Sequence, residues 1–165
     1  MEPGIVVMGV SGSGKSRVGA ALAEALGFAF VDGDDLHLPA NVAKMAGGTP
    51  LTDADRAGWL DAVAARVRPG VVVACSALKR AYRDRIRDGA AGRVVFVHLS
   101  GEQALLEARL ARRRGHFMPP GLLESQLATL EPPGDDEDAI TVNIAPDPAN
   151  IVQMIRNRLE SGLTD

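Results

Sequence analysis

Cysteine and long apolar segments are nearly absent from this chain of 165 residues. Its single cysteine, Cys75, excludes an intrachain disulfide and a zinc site built from several cysteines. No apolar run approaches the roughly 18 residues that a membrane-spanning helix needs. No lysine or arginine precedes Lys15, so the basic region of a signal peptide is missing. These absences predict a soluble cytoplasmic protein that does not bind a membrane.

A strong excess of charge is missing too. The chain has 18 basic and 21 acidic residues, a net charge of −3, and no concentrated basic face, which argues against nucleic acid as a partner. Only three of the basic residues are lysines and the other fifteen are arginines. A single arginine therefore carries functional weight only through its position in a motif. The length predicts one domain over residues 1–165.

A phosphate-binding motif follows the first apolar segment. The sequence GVSGSGKS matches G-x-x-x-x-G-K-[ST] and lies between a predicted strand and a predicted helix, the context that such a loop requires. Its glycines let successive backbone N–H groups point at phosphate oxygens, Lys15 reaches the β- and γ-phosphates, and Ser16 holds Mg²⁺. The motif predicts a site for a nucleoside triphosphate. Its nucleotide-contacting residues are Gly9, Val10, Ser11, Gly12, Ser13, Gly14, Lys15 and Ser16.

Apolar segments rich in β-branched residues alternate with helical patterns along the chain. Near-continuous apolar runs are typical of parallel strands buried on both faces, and the alternation predicts a three-layer α/β fold. The predicted strands are Ile5–Met8, Phe28–Val31, Val71–Cys75, Val94–His98 and Ile140–Asn143. The predicted helices are Lys15–Leu26, Pro39–Ala46, Asp53–Val67, Lys79–Asp88, Glu102–Arg113, Leu122–Leu130 and Ala149–Glu160. Ligands of such sheets bind outside the carboxyl ends of the strands.

Two segments interrupt this alternation. Residues 33–52 are too many for a simple loop and predict an inserted helical element over the substrate site. Residues 112–121 combine arginines with glycine and proline, which predicts a lid that closes over the nucleotide. Arg113 is the predicted catalytic residue of this lid, because phosphoryl transfer needs positive charge at the phosphates.

Asp32 and Asp34 follow the second predicted strand. If the stretch is extended, their side chains point the same way and share one cleft. Beside a triphosphate site, this pair predicts one carboxylate near Mg²⁺ and one near the acceptor hydroxyl; a turn-forming D-G-D is the alternative. The third predicted strand does not end in a Walker-B aspartate, so Asp32 is the nearest candidate for the metal. No lysine begins the K-x-D of a guanine pocket, which disfavours a switch GTPase.

A set of further motifs resembles the bacterial gluconokinases over nearly the whole chain. The phosphate loop is shared with many kinases, whereas DGDxLH together with CSALKxxYR is specific to this family. The matching motifs are GVSGSGKS at 9–16, DGDxLH at 32–37, KMxxGxPLxDxDRxxWL at 44–60, CSALKxxYRDxxR at 75–87, RGHF at 114–117 and EPPGxDEDAIxV at 131–142.

The resemblance implies ATP-dependent phosphorylation of D-gluconate at its 6-hydroxyl, which yields 6-phospho-D-gluconate and ADP. It also implies a P-loop kinase fold with strand order 2-3-1-4-5, a lid, Mg²⁺ as cofactor and a homodimer. A resemblance of the Asp32–Asp34 motif to shikimate-type kinases implies that Asp34 lies at the acceptor hydroxyl as the catalytic carboxylate, and the gluconokinase pattern implies that Arg109 lies against the adenine ring. Residues 143–150, after the last strand, are predicted to complete the adenine pocket.

Gluconate is a polyol with a carboxylate, so its site needs polar partners for hydroxyls and cations for the acid. The alternative for His37 is a loop histidine that packs its ring, and the alternative for Arg56, Lys79 and Arg83 is a cation on a solvated helix face. The predicted hydroxyl partners are Asp34, His37 and Asn41, and the predicted carboxylate partners are Arg56, Lys79 and Arg83.

Two other functions stay open at this point. One is a kinase of another small acceptor, such as shikimate or a nucleoside monophosphate. The other is a nucleotide-binding module that hydrolyses ATP slowly or not at all. The acceptor-side motifs disfavour the module, because a nucleotide sensor does not need them.

Overall fold

A five-stranded parallel sheet forms the centre of the fold, in a computed structural model that describes residues 2–49, 51–112 and 121–163. The strand order is β2-β3-β1-β4-β5, with every neighbouring pair parallel, which confirms the predicted order 2-3-1-4-5. The strands are β1 (Gly4–Met8), β2 (Ala29–Asp32), β3 (Val71–Ala74), β4 (Val94–Ser100) and β5 (Ala139–Asn143). The interior of the predicted lid, residues 113–120 with Arg113, lies outside the described residues.

Helices cover both faces of the sheet, as predicted. Because side chains alternate along a strand, β1 supplies Ile5 and Val7 to one apolar core and Val6 and Met8 to the other. The first core lies under α1, α5, α6 and α7, and the second lies under α3 and α4. The helices are α1 (Lys15–Leu26), α2 (Pro39–Ala46), α3 (Asp53–Arg66), α4 (Arg80–Gly89), α5 (Gln103–Ala111), α6 (Leu122–Thr129) and α7 (Pro148–Leu163). Among the described residues, none of the helices combines the length and apolar character needed to cross a membrane.

A 3-10 turn over Gly33–Leu36 follows β2, where the sequence suggested an extended stretch. The Asp32 carboxylate caps this turn by accepting a hydrogen bond from the Asp34 N–H at 3.0 Å. A Cβ atom on Gly33 would lie 2.5 Å from the carbonyl oxygen of Ala74, so only glycine lets the turn pack against the end of β3. The prediction that an extended stretch runs through Asp32 and Asp34 is therefore wrong, because the chain enters a 3-10 turn after Asp32. The strand period of two residues does not apply to this pair.

Candidate active site

The phosphate-binding loop spans residues 9–16 and joins the carboxyl end of β1 to the first turn of α1. Gly12 and Gly14 have φ angles of 85° and 89°, in the left-handed region that favours glycine. Lys15 is the first residue of α1, and its ammonium group donates to the carbonyl oxygen of Val10 at 3.2 Å. The loop thus curls over a helix N-terminus, where backbone N–H groups and the helix dipole favour an anion.

The Ser16 hydroxyl lies beside the predicted metal carboxylate. It donates a hydrogen bond to Oδ2 of Asp32 at 2.8 Å, so the two predicted metal residues are in contact. Hydroxyl and carboxylate oxygens are hard ligands, and Mg²⁺ characteristically takes one or two of them together with phosphate oxygens and water. Within the described part of the chain, no group of three or more His, Cys, Asp or Glu side chains surrounds a metal site. The residues present therefore fit Mg²⁺ that arrives with a nucleotide.

A cavity of about 480 Å³ opens beside the phosphate loop. Arg109 reaches across it from α5 and donates to the carbonyl oxygen of Ile144 at 2.6 Å. The structure thus brings Arg109 and the segment after β5 together, next to the loop. Arg17 lines the same cavity and was not singled out from the sequence, although its place directly after Ser16 was a usable signal. The lining residues are Gly12, Ser13, Gly14, Arg17, Val18, Arg109, Arg112, Ala145, Pro146, Asp147, Pro148 and Ile151.

Asp34 lies on the 3-10 turn after β2, and His37 directly follows that turn. Asp34 is exposed on the 3-10 turn, and the His37 ring stacks on Trp59 with centroids 4.4 Å apart and planes 10° apart. Trp59 is buried and donates its indole N–H to the carbonyl oxygen of Gly33 at 2.8 Å, which anchors the turn. Burial lowers the pKa of His37, while the Asp34 carboxylate raises it and Arg56 lowers it; the net shift is downward, so the imidazole is neutral near pH 7.

Tyr82 brings two of the predicted cations together. Its ring centroid lies 5.8 Å from Cζ of Arg56 and 5.6 Å from Nζ of Lys79. Its hydroxyl accepts from Arg56 at 3.3 Å and donates to Asp53 at 2.8 Å. That hydrogen bond and the charge of Lys79 lower the pKa of Asp53. Tyr82 and Asp53 were missed from the sequence, although both lie inside family motifs.

Arg83 does not face a substrate. It is fully buried, and it donates to the Glu137 carboxylate at 2.7 and 3.1 Å. Its remaining hydrogen bonds go to the carbonyl oxygens of Ala77, Leu78 and Glu131. The prediction that Arg83 binds the gluconate carboxylate is therefore wrong, because its charge and its donors are already satisfied inside the protein.

Asn41 is also corrected by the structure. It is buried, and its side-chain N–H donates to the backbone carbonyl oxygen of Asp55 at 2.8 Å. The neighbouring Lys44 binds the Asp55 carboxylate at 2.9 and 3.0 Å. Asn41 and Lys44 thus join α2 to the start of α3. The predicted role of Asn41 at a substrate hydroxyl gives way to this structural role.

Replacing Glu137 with glutamine is expected to destabilise the protein by about 3–5 kcal/mol, because it leaves the buried Arg83 charge without a counter-ion. Glu137 also accepts from Arg87 at 3.1 Å and from the Gly134 N–H at 2.9 Å. Urea unfolding measures the loss. Asp136→Asn is the matched control, since the Arg80–Asp136 pair is exposed and screened by solvent. Equal midpoints for both variants would contradict the expectation.

The buried Arg83–Glu137 pair makes the stability of the protein depend on pH. Burial raises the pKa of Glu137, but hydrogen bonds from Arg83, Gly134 and Arg87 outweigh this effect and lower it from 4.5 to about 2. Because the folded pKa is depressed, the stabilisation is complete above pH 4.5 and is lost as the pH falls towards 2. The stability difference between the wild type and Glu137→Gln should shrink over that window.

Cys75 lies directly below the site, at the end of β3. Burial raises the pKa of its thiol to about 12. A hydrogen bond from the Ala77 backbone and the charge of Lys15 oppose this shift, whereas the charges of Asp34 and Asp32 add to it. The thiol is therefore protonated at neutral pH and is not a nucleophile.

The chain is similar to known proteins in sequence and in fold. A sequence profile described as an AAA domain matches residues 5–133. The gluconokinase of Gluconobacter oxydans (strain 621H) is 54% identical over 145 residues, which cover 84% of this chain and 81% of that protein. The crystal structure of a gluconokinase from Sinorhizobium meliloti 1021 matches with a TM-score of 0.88 and 50% identity, covering 98% of this chain and 95% of that one. Shikimate kinase from Acinetobacter baumannii, at 19% identity and a TM-score of 0.65 over 98% of this chain and 95% of its own, is similar in fold alone.

Proposed function

Because this chain belongs to the gluconokinases, a family of P-loop kinases, we propose that it transfers the γ-phosphoryl group of ATP to the 6-hydroxyl of D-gluconate. The observation that carries this proposal is the placement of two polar sites at one edge of the sheet. The phosphate loop lies after β1, and the exposed Asp34 lies after β2. His37 follows Asp34 and stacks on Trp59, which lies on the same helix as Arg56. A phosphate donor and a polyol acceptor bound there would meet.

The acceptor side supplies the groups that a sugar acid needs. Arg56 and Lys79, paired around Tyr82, would bind the gluconate carboxylate, and the neutral His37 would face its hydroxyls. Asp34 would orient the 6-hydroxyl and accept its proton. The bond between the 6-oxygen and the γ-phosphorus forms as the bond to the bridging oxygen of ADP breaks, so the products are 6-phospho-D-gluconate and ADP.

The nucleotide side fits ATP with Mg²⁺. The phosphate loop and Lys15 would hold the phosphates, and the cavity with Arg109 would take the nucleoside. Ser16 and Asp32 would hold Mg²⁺, which when bound neutralises phosphate charge. The proposed contribution of Arg113 to this charge rests on the sequence. A homodimer and a cytoplasmic location stay predictions, which ultracentrifugation and cell fractionation would test.

Asp32→Asn is expected to raise the Mg²⁺ concentration for half-maximal rate by about 10–100-fold, the usual cost of disturbing a metal-site carboxylate. Asparagine can still accept from Ser16 but lacks the negative charge. The measurement is the initial rate against Mg²⁺ concentration at fixed ATP. Asp35→Asn, an exposed carboxylate of the same turn, is the control. An unchanged Mg²⁺ requirement in Asp32→Asn would remove Asp32 from the metal site.

Coupled measurement of ADP production tests the proposed function. Purified protein should release ADP fastest with D-gluconate, compared with other sugar acids, shikimate, AMP and adenylylsulfate. The gluconate product should be a substrate for 6-phosphogluconate dehydrogenase, which identifies the phosphorylated position. A faster rate with shikimate or a nucleotide would favour the other-acceptor alternative. If no acceptor raises ADP release above background, the chain is a nucleotide-binding module instead.

A further inference from the structure

The side chain of Gln126, which is distant in sequence, forms hydrogen bonds with the phosphate loop. The backbone N–H of Ser11 donates to Oε1 of Gln126 at 2.7 Å, and Nε2 of Gln126 donates back to the Ser11 hydroxyl at 3.0 Å. The two residues are 115 positions apart in the chain. One glutamine thus satisfies both a backbone donor and a side-chain acceptor within a loop that has no strand or helix pairing of its own.

The glutamine sits on a fixed support. Its helix, α6, contributes the buried Leu123 to the core, and Leu127 and Leu130 pack against the same cluster. Gln126 itself closes the helix, because its carbonyl oxygen accepts from the Leu130 N–H at 2.9 Å. The side-chain amide is therefore presented to the loop from a packed element.

Further hydrogen bonds in the described structure also help to define the first half of the loop. Its glycines at positions 9, 12 and 14 have positive φ angles, so its backbone is intrinsically free to adopt other shapes. In the described structure the Gly9 N–H donates to the Ser76 carbonyl at 3.3 Å, and the Val10 carbonyl accepts from the Ser13 N–H at 3.2 Å and from the Lys15 ammonium group at 3.2 Å. The Gln126 pair adds the shortest of these bonds.

We propose that Gln126 is a positioning residue that pre-organises the phosphate loop for the nucleotide; this inference rests on the proposed function, since it assumes that the loop binds ATP. Ordering a glycine-rich loop costs conformational entropy, and a loop already held in shape avoids that cost when the phosphates bind. Gln126 need not touch the nucleotide to act this way. Its loss should weaken ATP binding while leaving the gluconate side unchanged.

Gln126→Met tests the proposal, because methionine keeps the length of the side chain and removes both hydrogen bonds. The KM for ATP should rise about tenfold, as expected when a hydrogen-bonded pair is lost and a loop N–H is left unpaired. The KM for gluconate at saturating ATP should stay within about twofold of the wild-type value. Gln153→Met is the matched control, since Gln153 is exposed on α7 and pairs only locally with Asn157 in the described structure.

Two further measurements separate positioning from simple stabilisation. Ser11→Ala keeps the backbone hydrogen bond and should raise the KM for ATP less than Gln126→Met, and it should add little in the double variant. Binding of a non-hydrolysable ATP analogue, measured by calorimetry, should weaken in parallel with KM. A lower melting temperature with unchanged ATP affinity would overturn the inference. If the wild type does not phosphorylate gluconate but Gln126→Met still binds the ATP analogue more weakly than the wild type, only the proposed function is overturned.

Discussion

Asp34→Asn is expected to lower kcat by about 10²–10⁴-fold, the range lost when a general base is removed. Asparagine keeps the size of the side chain but cannot accept the proton of the 6-hydroxyl. Asp34 is exposed on the 3-10 turn after β2, three residues before His37, and the proposed function places it at the acceptor hydroxyl. Because the transition state of phosphoryl transfer is loose, part of the loss will reflect positioning of the acceptor. Steady-state rates with saturating ATP and gluconate measure the effect.

The neighbouring carboxylates provide the controls for this variant. Asp35→Asn changes the next residue of the turn and should leave kcat near the wild-type value. The KM for ATP should change little in Asp34→Asn, because Asp32 is the carboxylate that contacts Ser16. If Asp34→Asn instead retains its rate and loses Mg²⁺ affinity, the roles of Asp32 and Asp34 are exchanged.

Lys15→Ala is expected to reduce kcat by about 10²–10³-fold, the usual cost of losing one pre-organised electrostatic contact. Lys15 is the first residue of α1, and its ammonium group donates to the Val10 carbonyl oxygen of the loop. The group therefore needs little reorganisation to contact a bound phosphate. Single-turnover rates with gluconate measure the chemical step directly. Urea unfolding of the same variant checks that the fold is intact. A folded variant with near wild-type kcat would show that Lys15 does not stabilise the transferring phosphoryl group.

The buried network around Arg83 explains two of the family motifs in physical terms. CSALKxxYRDxxR contains Arg83, and EPPGxDEDAIxV contains Glu131 and Glu137. Arg83 donates to the Glu137 carboxylate and to the Glu131 carbonyl, and the Glu131 N–H donates to the Leu78 carbonyl at 2.8 Å. The two motifs are therefore one structural unit. It supports the segment before α4 that ends in Lys79.

Arg83 also shows where reasoning from sequence stops. Its spacing on the helix is compatible with a solvated face, and fifteen arginines give no means of distinguishing one that is buried. Burial of a guanidinium requires a carboxylate and several carbonyl oxygens to converge from elsewhere. In this chain the carboxylate comes from Glu137, 54 residues away. Only the packing of the 131–138 segment onto α4 reveals the pair.

The family of this protein and the candidate residues of its phosphate loop could be predicted from local sequence patterns. The phosphate loop, its flanking strand and helix, and the Asp32–Asp34 pair are contiguous patterns, so residue type and spacing suffice to find them. The order of the strands followed from the resemblance that those patterns carry. Each of these features depends on neighbours within a few positions or on a motif read in chain order.

Which polar side chains are buried and which lie near the candidate site became visible only in the folded structure. It buried Asn41 and Arg83, gathered Arg56 and Lys79 around Tyr82, and set Gln126 against the phosphate loop. A fully buried polar side chain whose charge and donors are already satisfied inside the protein, such as Arg83, is not available to a substrate. That depends on contacts between residues far apart in sequence, which packing creates and local pattern does not encode.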